Sequence, residues 1–296
     1  MLTALVPDYI GPVDGATSYP EDDCELDLAQ VGFFVPRYMN QGPNYDWAER
    51  MPRLEVLQLL TAGYEQALAY VRAGVTLCNA AGVHDASTAE LAVGLILASQ
   101  RAIDVAARDM KTGTWGHETQ PSLADRRVVI IGAGHVGTAI ADRLLPFECD
   151  VTIVGRTRRG EVRALGDLPE LLPLAEIVVL AVPLDDSTRA IVDAAFLDRL
   201  PAGALVVNVA RGPVVVTDDL VAALAAGRVR AALDVTDPEP LPPGHPLWSA
   251  PGALITPHVG GNTSAFVPRA NRLVREQLAQ WRAGEPVEHI VAGERR

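Results

Sequence analysis

The sequence predicts an α/β chain made of two domains, each a parallel sheet with helices on its faces. Three observations predict it. Short apolar runs of strand length alternate with helical patterns along almost the whole chain, as a parallel sheet with crossover helices requires. A glycine-rich turn, Gly132-Ala133-Gly134-His135-Val136-Gly137, stands between one such run and a helical pattern. The 296 residues, 49% of them hydrophobic, suffice for two cores.

The elements follow in order. Residues 1–89 hold apolar runs at 2–6, 32–35, 54–60 and 75–79, separated by segments with poor helical periodicity. From 88 to 98 the chain is apolar at helical spacing, with Ser87 as the expected N-cap and continuation through Arg101 towards Met110. A helix that is apolar on most sides is buried between domains or subunits, so this one is expected to serve a homodimer. A connector at 111–123 follows. Strands are then expected at 127–131, 150–154, 177–181, 204–209, 231–235 and 253–255, with helices at 136–145 and 217–226. Thr217 is the expected cap of the latter and Gly227 its stop. An amphipathic helix at 271–283 closes the chain. The expected domains are 1–89 completed by 271–296, and 90–270.

The net charge of −12 disfavours nucleic acid and anionic membrane as partners, because both demand a basic surface. A site for anions on such a chain must concentrate positive charge locally. Cys24, Cys78 and Cys149 match neither a zinc spacing nor a disulfide framework and read as small buried apolar residues, so no metal is expected. The first residues lack the basic region of a signal peptide, and no run of 18 apolar residues occurs. A cytoplasmic location is expected.

The glycine turn matches G-x-G-x-x-G, a weak signal alone because any strand–helix junction can be glycine-rich. Here Val128-Val129-Ile130-Ile131 precedes it and a helix pattern follows it, the context that dinucleotide binding requires. Gly132 would permit the tight turn, Gly134 would let backbone approach a pyrophosphate, and Gly137 would let helix and strand pack. The helix N-terminal amides of His135 and Val136 would then face phosphate.

Three later strands end in Ala210-Arg211-Gly212, in Thr236-Asp237-Pro238-Glu239-Pro240 and in Thr256-Pro257-His258. Ligands of open α/β sheets bind at the carboxyl ends of strands. Singly, Arg211 reads as a surface cation, Glu239 as a loop charge and His258 as a packing histidine. Jointly, a cation, a carboxylate and an imidazole at successive strand ends fit catalysis better.

With these segments the chain resembles the D-isomer-specific 2-hydroxyacid dehydrogenase family. The likeness runs through the glycine turn, Asn208-Val209-Ala210-Arg211-Gly212, Leu233-Asp234-Val235-Thr236-Asp237-Pro238-Glu239-Pro240-Leu241 and Thr256-Pro257-His258-Val259-Gly260-Gly261. Gly155-Arg156 and His245-Pro246-Leu247-Trp248 most resemble the glyoxylate/hydroxypyruvate reductase branch. The resemblance implies two Rossmann-like or flavodoxin-like domains with the active site in the cleft between them. It implies hydride transfer between NAD(P)H and a small 2-oxo or D-2-hydroxy acid. Arg211 would bind the substrate carboxylate and carbonyl oxygen, His258 would be the general acid, and Glu239 would hold His258 and favour its imidazolium form. Pro183, Val209, Ala210, Asp234 and Gly260 would line the cofactor. The loop Thr61-Ala62-Gly63-Tyr64 looks like the substrate-carboxylate loop, with Ala62 and Gly63 as its contacts; Tyr64 reads equally as a packed surface aromatic. Alternatives are a formate-dehydrogenase-like enzyme and a cofactor-binding corepressor-like module without catalysis.

The second strand of the dinucleotide unit ends Gly155-Arg156-Thr157-Arg158-Arg159. A carboxylate about 20 residues beyond the glycines bonds the ribose 2′-OH of NAD. Arg156 stands there instead, with Thr157 and Arg158 beside it. This predicts preference for NADP(H), with NAD(H) still accepted.

Overall fold

The computed structural model describes residues 2–20, 26–38 and 42–293. Cys24 lies outside the described residues, and Cys78 and Cys149 are buried and free. Burial pushes the Cys78 thiol up to about 12, so it is an apolar filler, as expected. Among the described residues no helix is long and apolar enough to cross a membrane. The chain separates into two units, Met1–His84 with Thr263–Arg296, and Asp85–Asn262.

The first unit opens with β1 (Thr3–Pro7), β2 (Thr17–Tyr19), β3 (Val31–Phe34), β4 (Val56–Gln58) and β5 (Thr76–Cys78), joined largely by 3-10 turns. The second unit then runs α1 (Asp85–Gln100), α2 (Ile103–Asp109), β6 (Arg127–Ile131), α3 (His135–Leu144), β7 (Asp150–Gly155), β8 (Arg163–Ala164), α4 (Leu168–Leu171) and β9 (Ile177–Leu180). It continues through α5 (Ala194–Arg199), β10 (Ala204–Asn208), α6 (Thr217–Ala225), β11 (Val229–Leu233) and β12 (Ala253–Ile255). The chain then returns to the first unit with α7 (Phe266–Ala283) and β13 (Ile290–Ala292).

In the first unit the strand order is β13-β5-β4-β3-β1-β2, parallel except for the antiparallel edge strand β13. Alternate side chains serve opposite faces. Ala4, Val6, Phe33 and Val56 pack with Phe266, Ala270 and Val274 of α7. Leu5, Phe34 and Leu57 pack with Trp47 and Ala48 of a 3-10 turn on the other side.

In the second unit all seven strands are parallel, in the order β12-β11-β10-β9-β6-β7-β8. Chain order reverses between β6 and β9, which makes their carboxyl ends a topological switch point. Val128, Ile130, Val179 and Val207 pack against α1 and α3, and Val129, Ile131, Val178 and Val206 pack against α4, α5 and α6.

Several local expectations are corrected. The first helix begins at Asp85, so Ser87 is a buried residue inside it rather than its cap. It stops at Gln100, where Arg230 of β11 donates to the Ser99 carbonyl (2.9 Å) and to the Gln100 side chain. Ala102 then turns left-handed, with φ 50°. The helix does not run on to Met110. Its apolar residues Ala89, Ala92, Val93 and Ile96 are consumed by the core of their own unit, so they do not form an open face. The units divide at His84/Asp85 and Asn262/Thr263 rather than at 89/90 and 270/271, because α1 and α7 each start earlier than their apolar patterns show. Val216, not Thr217, precedes α6, and the Thr217 hydroxyl donates to the Asp237 carbonyl at 2.7 Å.

Candidate active site

The glycine turn lies at the switch point. Gly132 has φ 131°, and a Cβ there would stand 2.1 Å from the Ala181 carbonyl oxygen. A Cβ on Gly137 would stand 1.8 Å from the Gly132 carbonyl oxygen. These two glycines are therefore demanded by the packing of β6, β9 and α3. Gly134 differs. It caps α3 with φ −90° and ψ −171°, a conformation any residue adopts, and a Cβ there meets nothing within 4 Å. The protein's own packing does not ask for glycine at 134, so the open space in front of the helix N-terminus fits a close-lying phosphate. The first bond of the helical ladder runs from the Thr138 amide to the Gly134 carbonyl. The ladder thus leaves the amides of His135, Val136 and Gly137 facing the same opening. His135 is exposed, with Nδ1 3.5 Å from Asp85.

Three loops meet beyond β10, β11 and β12. Buried Asn208 shapes the first: its Oδ1 accepts the Ala210 amide and its Nδ2 donates to the Arg211 carbonyl, both at 3.0 Å. Arg211 Nη1 donates to the Ala210 carbonyl at 2.7 Å. The second loop passes close by, since a Cβ on Gly212 would lie 1.9 Å from the Thr236 carbonyl oxygen. The third loop presents His258 with φ 53°, a left-handed backbone that is costly for a non-glycine residue and is found where function fixes geometry. Nδ1 of His258 lies 2.5 Å from Glu239 Oε1. Burial works against ionisation of Glu239. The hydrogen bond and charge of His258, the Thr236 amide and the Arg211 guanidinium outweigh it and hold the carboxyl below its usual value. The imidazole therefore rests on a carboxylate through Nδ1.

Asp234 is 3% exposed. Its carboxylate accepts the Thr256 hydroxyl (2.6 Å) and the Val259 and Gly260 amides (2.9 Å each). This bonding holds the loop that carries His258. Val209, Ala210 and Gly260 are buried, and Pro183 is exposed.

The basic turn after β7 spreads its cations. Arg156 Nη2 lies 2.5 Å from Asp185 Oδ2, Arg158 Nη2 lies 2.8 Å from Asp167, and Arg159 Nη2 donates to the Ala133 carbonyl at 2.7 Å. Thr157 is exposed. Arg163, the Ala164 amide and Arg158 hold the Asp167 carboxyl down to about 2. Arg156 and Arg159 therefore border the glycine turn, while Arg158 is directed to Asp167.

In the first unit, Ala62 and Gly63 lie in the loop beyond β4. Asn79 Nδ2 donates to the Ala62 carbonyl (2.8 Å) and Thr61 Oγ1 to that of Gly63 (2.6 Å), which fixes the loop. Tyr64 packs against that unit's core.

A family model described as the NAD-binding domain of D-isomer-specific 2-hydroxyacid dehydrogenases matches residues 93–260. The chain belongs to that family. As a D-2-hydroxyacid dehydrogenase family member it is an NAD(P)-dependent oxidoreductase, and the dinucleotide of its second unit is a nicotinamide cofactor. A glyoxylate reductase of Thermofilum pendens is 32% identical to it over 79% of this chain and 74% of its own. A family member from Xanthobacter autotrophicus, solved with NADPH and MES, is similar with a TM-score of 0.83 at 29% identity, over 98% of each chain. An NADPH-dependent glyoxylate/hydroxypyruvate reductase from Sinorhizobium meliloti, solved with NADP and sulfate, gives 0.86 at 26% identity, over 98% of this chain and 97% of that one.

The structure of this dehydrogenase brings Arg211, Glu239 and His258 together, and it gathers Gly132, Gly134, Gly137 and Arg156 at the switch point. Sequence reasoning missed the parts played by Asn208, Gly212, Asp167 and Asp185. For Gly212 the signal was the glycine itself, since glycine is the residue that lets another backbone approach closely. The Arg156 partner comes from a loop 29 residues on and carries no local pattern, while Asp167 lies only nine residues from Arg158.

Proposed function

We propose that this chain reduces small 2-oxo acids of the glyoxylate/hydroxypyruvate type to D-2-hydroxy acids and prefers NADPH. The observation that carries the reading is the Glu239–His258 contact of 2.5 Å beside Arg211. When bound, the reduced nicotinamide supplies the hydride. His258 donates a proton to the substrate oxygen, and Glu239 keeps the imidazole oriented and charge-compensated. The Arg211 guanidinium takes the carboxylate as a planar fork and steadies the developing oxyanion. Asp234 acts through the loop it holds. Gly134, His135 and Val136 receive the pyrophosphate.

Arg156 carries the nucleotide preference. No carboxylate stands at the end of β7 to receive a 2′-OH. Arg156 is 70% exposed, so solvent screens its pairing with either anion. The 2′-phosphate carries about −1.5 to −2 charge against the single charge of Asp185, so it outcompetes the pair and a preference for NADPH follows. The Xanthobacter and Sinorhizobium relatives, solved with NADPH and NADP, support this.

A homodimer belongs to the same proposal, on different residues from those the sequence pointed to. Ile103, Val105, Met110 and Trp115 are 54%, 43%, 83% and 92% exposed, a run of large apolar side chains that favours a partner surface. Light scattering at micromolar concentration is expected to give twice the 31.5 kDa chain mass.

The test of the main reading is oxidation of NADPH and NADH with glyoxylate, hydroxypyruvate and pyruvate, in wild type and Arg156→Asp. Turnover with at least one acid and a lower NADPH/NADH efficiency ratio in the variant are expected. Tight cofactor binding without turnover of any 2-oxo acid would refute it.

A further inference from the structure

The Arg156–Asp185 pair spans the glycine turn. Arg156 follows β7 and Asp185 follows β9, the two neighbours of β6 in the sheet, and their side chains meet at 2.5 Å. Asp185 is not a loose surface acid. Its Oδ1 accepts the Ser187 amide (2.8 Å) and hydroxyl (2.6 Å), which leaves Oδ2 aimed at Arg156. The loop behind it is tied by the Thr188 hydroxyl, which donates to the Pro183 carbonyl at 2.6 Å and accepts the Asp185 amide at 2.9 Å. The bonds from Ser187, and after them the charge of Arg156, hold the Asp185 carboxyl below its usual range. It is an anion at neutral pH, built into place beside the cation that the 2′-phosphate needs.

We infer that Asp185 is a nucleotide-selectivity residue, whose carboxylate competes with the 2′-phosphate of NADPH for Arg156 and so tempers the preference for NADPH over NADH. This rests on the reading of Arg156 as the 2′-phosphate contact. The acid that the β7 end lacks is supplied from the neighbouring strand's loop, but pointed at the arginine. On NADPH binding, Arg156 must exchange one anion for another, and the Asp185 charge stays close to the phosphate. On NADH binding the pair remains intact. The site is thus balanced between the two cofactors more evenly than three arginines in four residues imply.

The experiment is direct titration of NADPH and NADH binding by nicotinamide fluorescence at one ionic strength. It compares wild type, Asp185→Asn, Arg156→Ala and the double variant. The side-chain amide introduced by Asp185→Asn keeps an oxygen that can accept the Ser187 bonds, so the loop is kept. Asp185→Asn is expected to tighten NADPH by about two- to five-fold, with NADH changed far less, and the gain is expected to vanish in the Arg156→Ala background. An unchanged or lowered NADPH/NADH affinity ratio in Asp185→Asn, or an equal gain without Arg156, overturns the inference. A wild type that binds neither dinucleotide, or an Arg156→Ala variant with wild-type NADPH affinity, overturns the underlying reading of the site instead.

Discussion

The amide of His258 donates to the carbonyl of Asp234 at 2.8 Å, while the Asp234 carboxylate grips the residues on either side of that histidine. Asp234 is thus the post from which the His258 loop hangs. Removing the carboxylate leaves the Val259 and Gly260 amides without it in a largely buried place, at ~1–3 kcal/mol for each unmet group. Asp234→Ala is expected to lose ~2–4 kcal/mol in urea unfolding. Asp234→Asn keeps one acceptor oxygen and should lose less. In both, kcat should fall more than cofactor affinity; an Asp234→Asn variant with wild-type kcat would show that the loop does not need this post.

His258 and Arg211 should fail differently. Asn tolerates the left-handed backbone at 258 but donates no acidic proton, so His258→Asn is expected to lower kcat by about 10²–10⁴-fold. Substrate KM and NADPH affinity should change little. Arg211→Ala should raise KM and lower kcat together, because the guanidinium serves both the carboxylate and the developing charge. Steady-state kinetics with one 2-oxo acid, together with NADPH fluorescence titration, separates the two patterns.

Glu239 gives a pH signature. Its carboxyl lies below the usual 4.5 in the folded chain. A depressed carboxyl contributes stability that is fully present above the unfolded value and is lost as pH falls through the folded one. Glu239→Gln is therefore expected to be less stable than wild type at neutral pH, by no more than ~1 kcal/mol because the side chain is 37% exposed. The two proteins should converge below about pH 4.5. Urea midpoints across that range measure it; a constant difference down to the lowest pH would show that the ionised carboxylate is not what stabilises.

The central strands were legible because they are buried on both faces and read as unbroken apolar runs, such as Val128 to Ile131 and Val178 to Leu180. Three of the edge strands were not: Thr17–Tyr19, Arg163–Ala164 and Ile290–Ala292 are two or three residues long, too short for a period to show, whereas the equally short edge strand Ala253–Ile255 was expected at its place. The break at Ala102 was hidden because the residue that bonds to the helix end, Arg230, lies far along the chain. The grouping of Arg211, Glu239 and His258 was legible because they lie in the loops that follow three successive strands, β10, β11 and β12. The salt link of Arg156 was not, since a pairing with a loop 29 residues on has no local signature, and with the shorter-range Arg158–Asp167 link it decides how much positive charge the turn offers a ligand.

The glycines of the turn provide the sharpest separation of folding from binding. A methyl group at 137 would meet the Gly132 carbonyl oxygen at 1.8 Å, and one at 132 the Ala181 carbonyl oxygen at 2.1 Å on a backbone with φ 131°. Both obstacles are backbone atoms that cannot swing aside. Gly137→Ala and Gly132→Ala are therefore expected to destabilise the second unit by ~1–3 kcal/mol or more, visible as a lowered Tm without any ligand. A methyl group at 134 meets nothing within 4 Å, on a backbone with φ −90°. Gly134→Ala should lose at most ~1 kcal/mol, from a poorer helix cap. It should nevertheless weaken NADPH binding by at least about ten-fold, because the methyl occupies the space through which the pyrophosphate reaches the α3 amides. Thermal melts with and without NADPH decide the point. In Gly134→Ala the ligand-free Tm should stay near wild type while the NADPH-induced rise shrinks. A full rise, or a ligand-free Tm as low as that of Gly137→Ala, would mean that Gly134 serves the fold and not the cofactor.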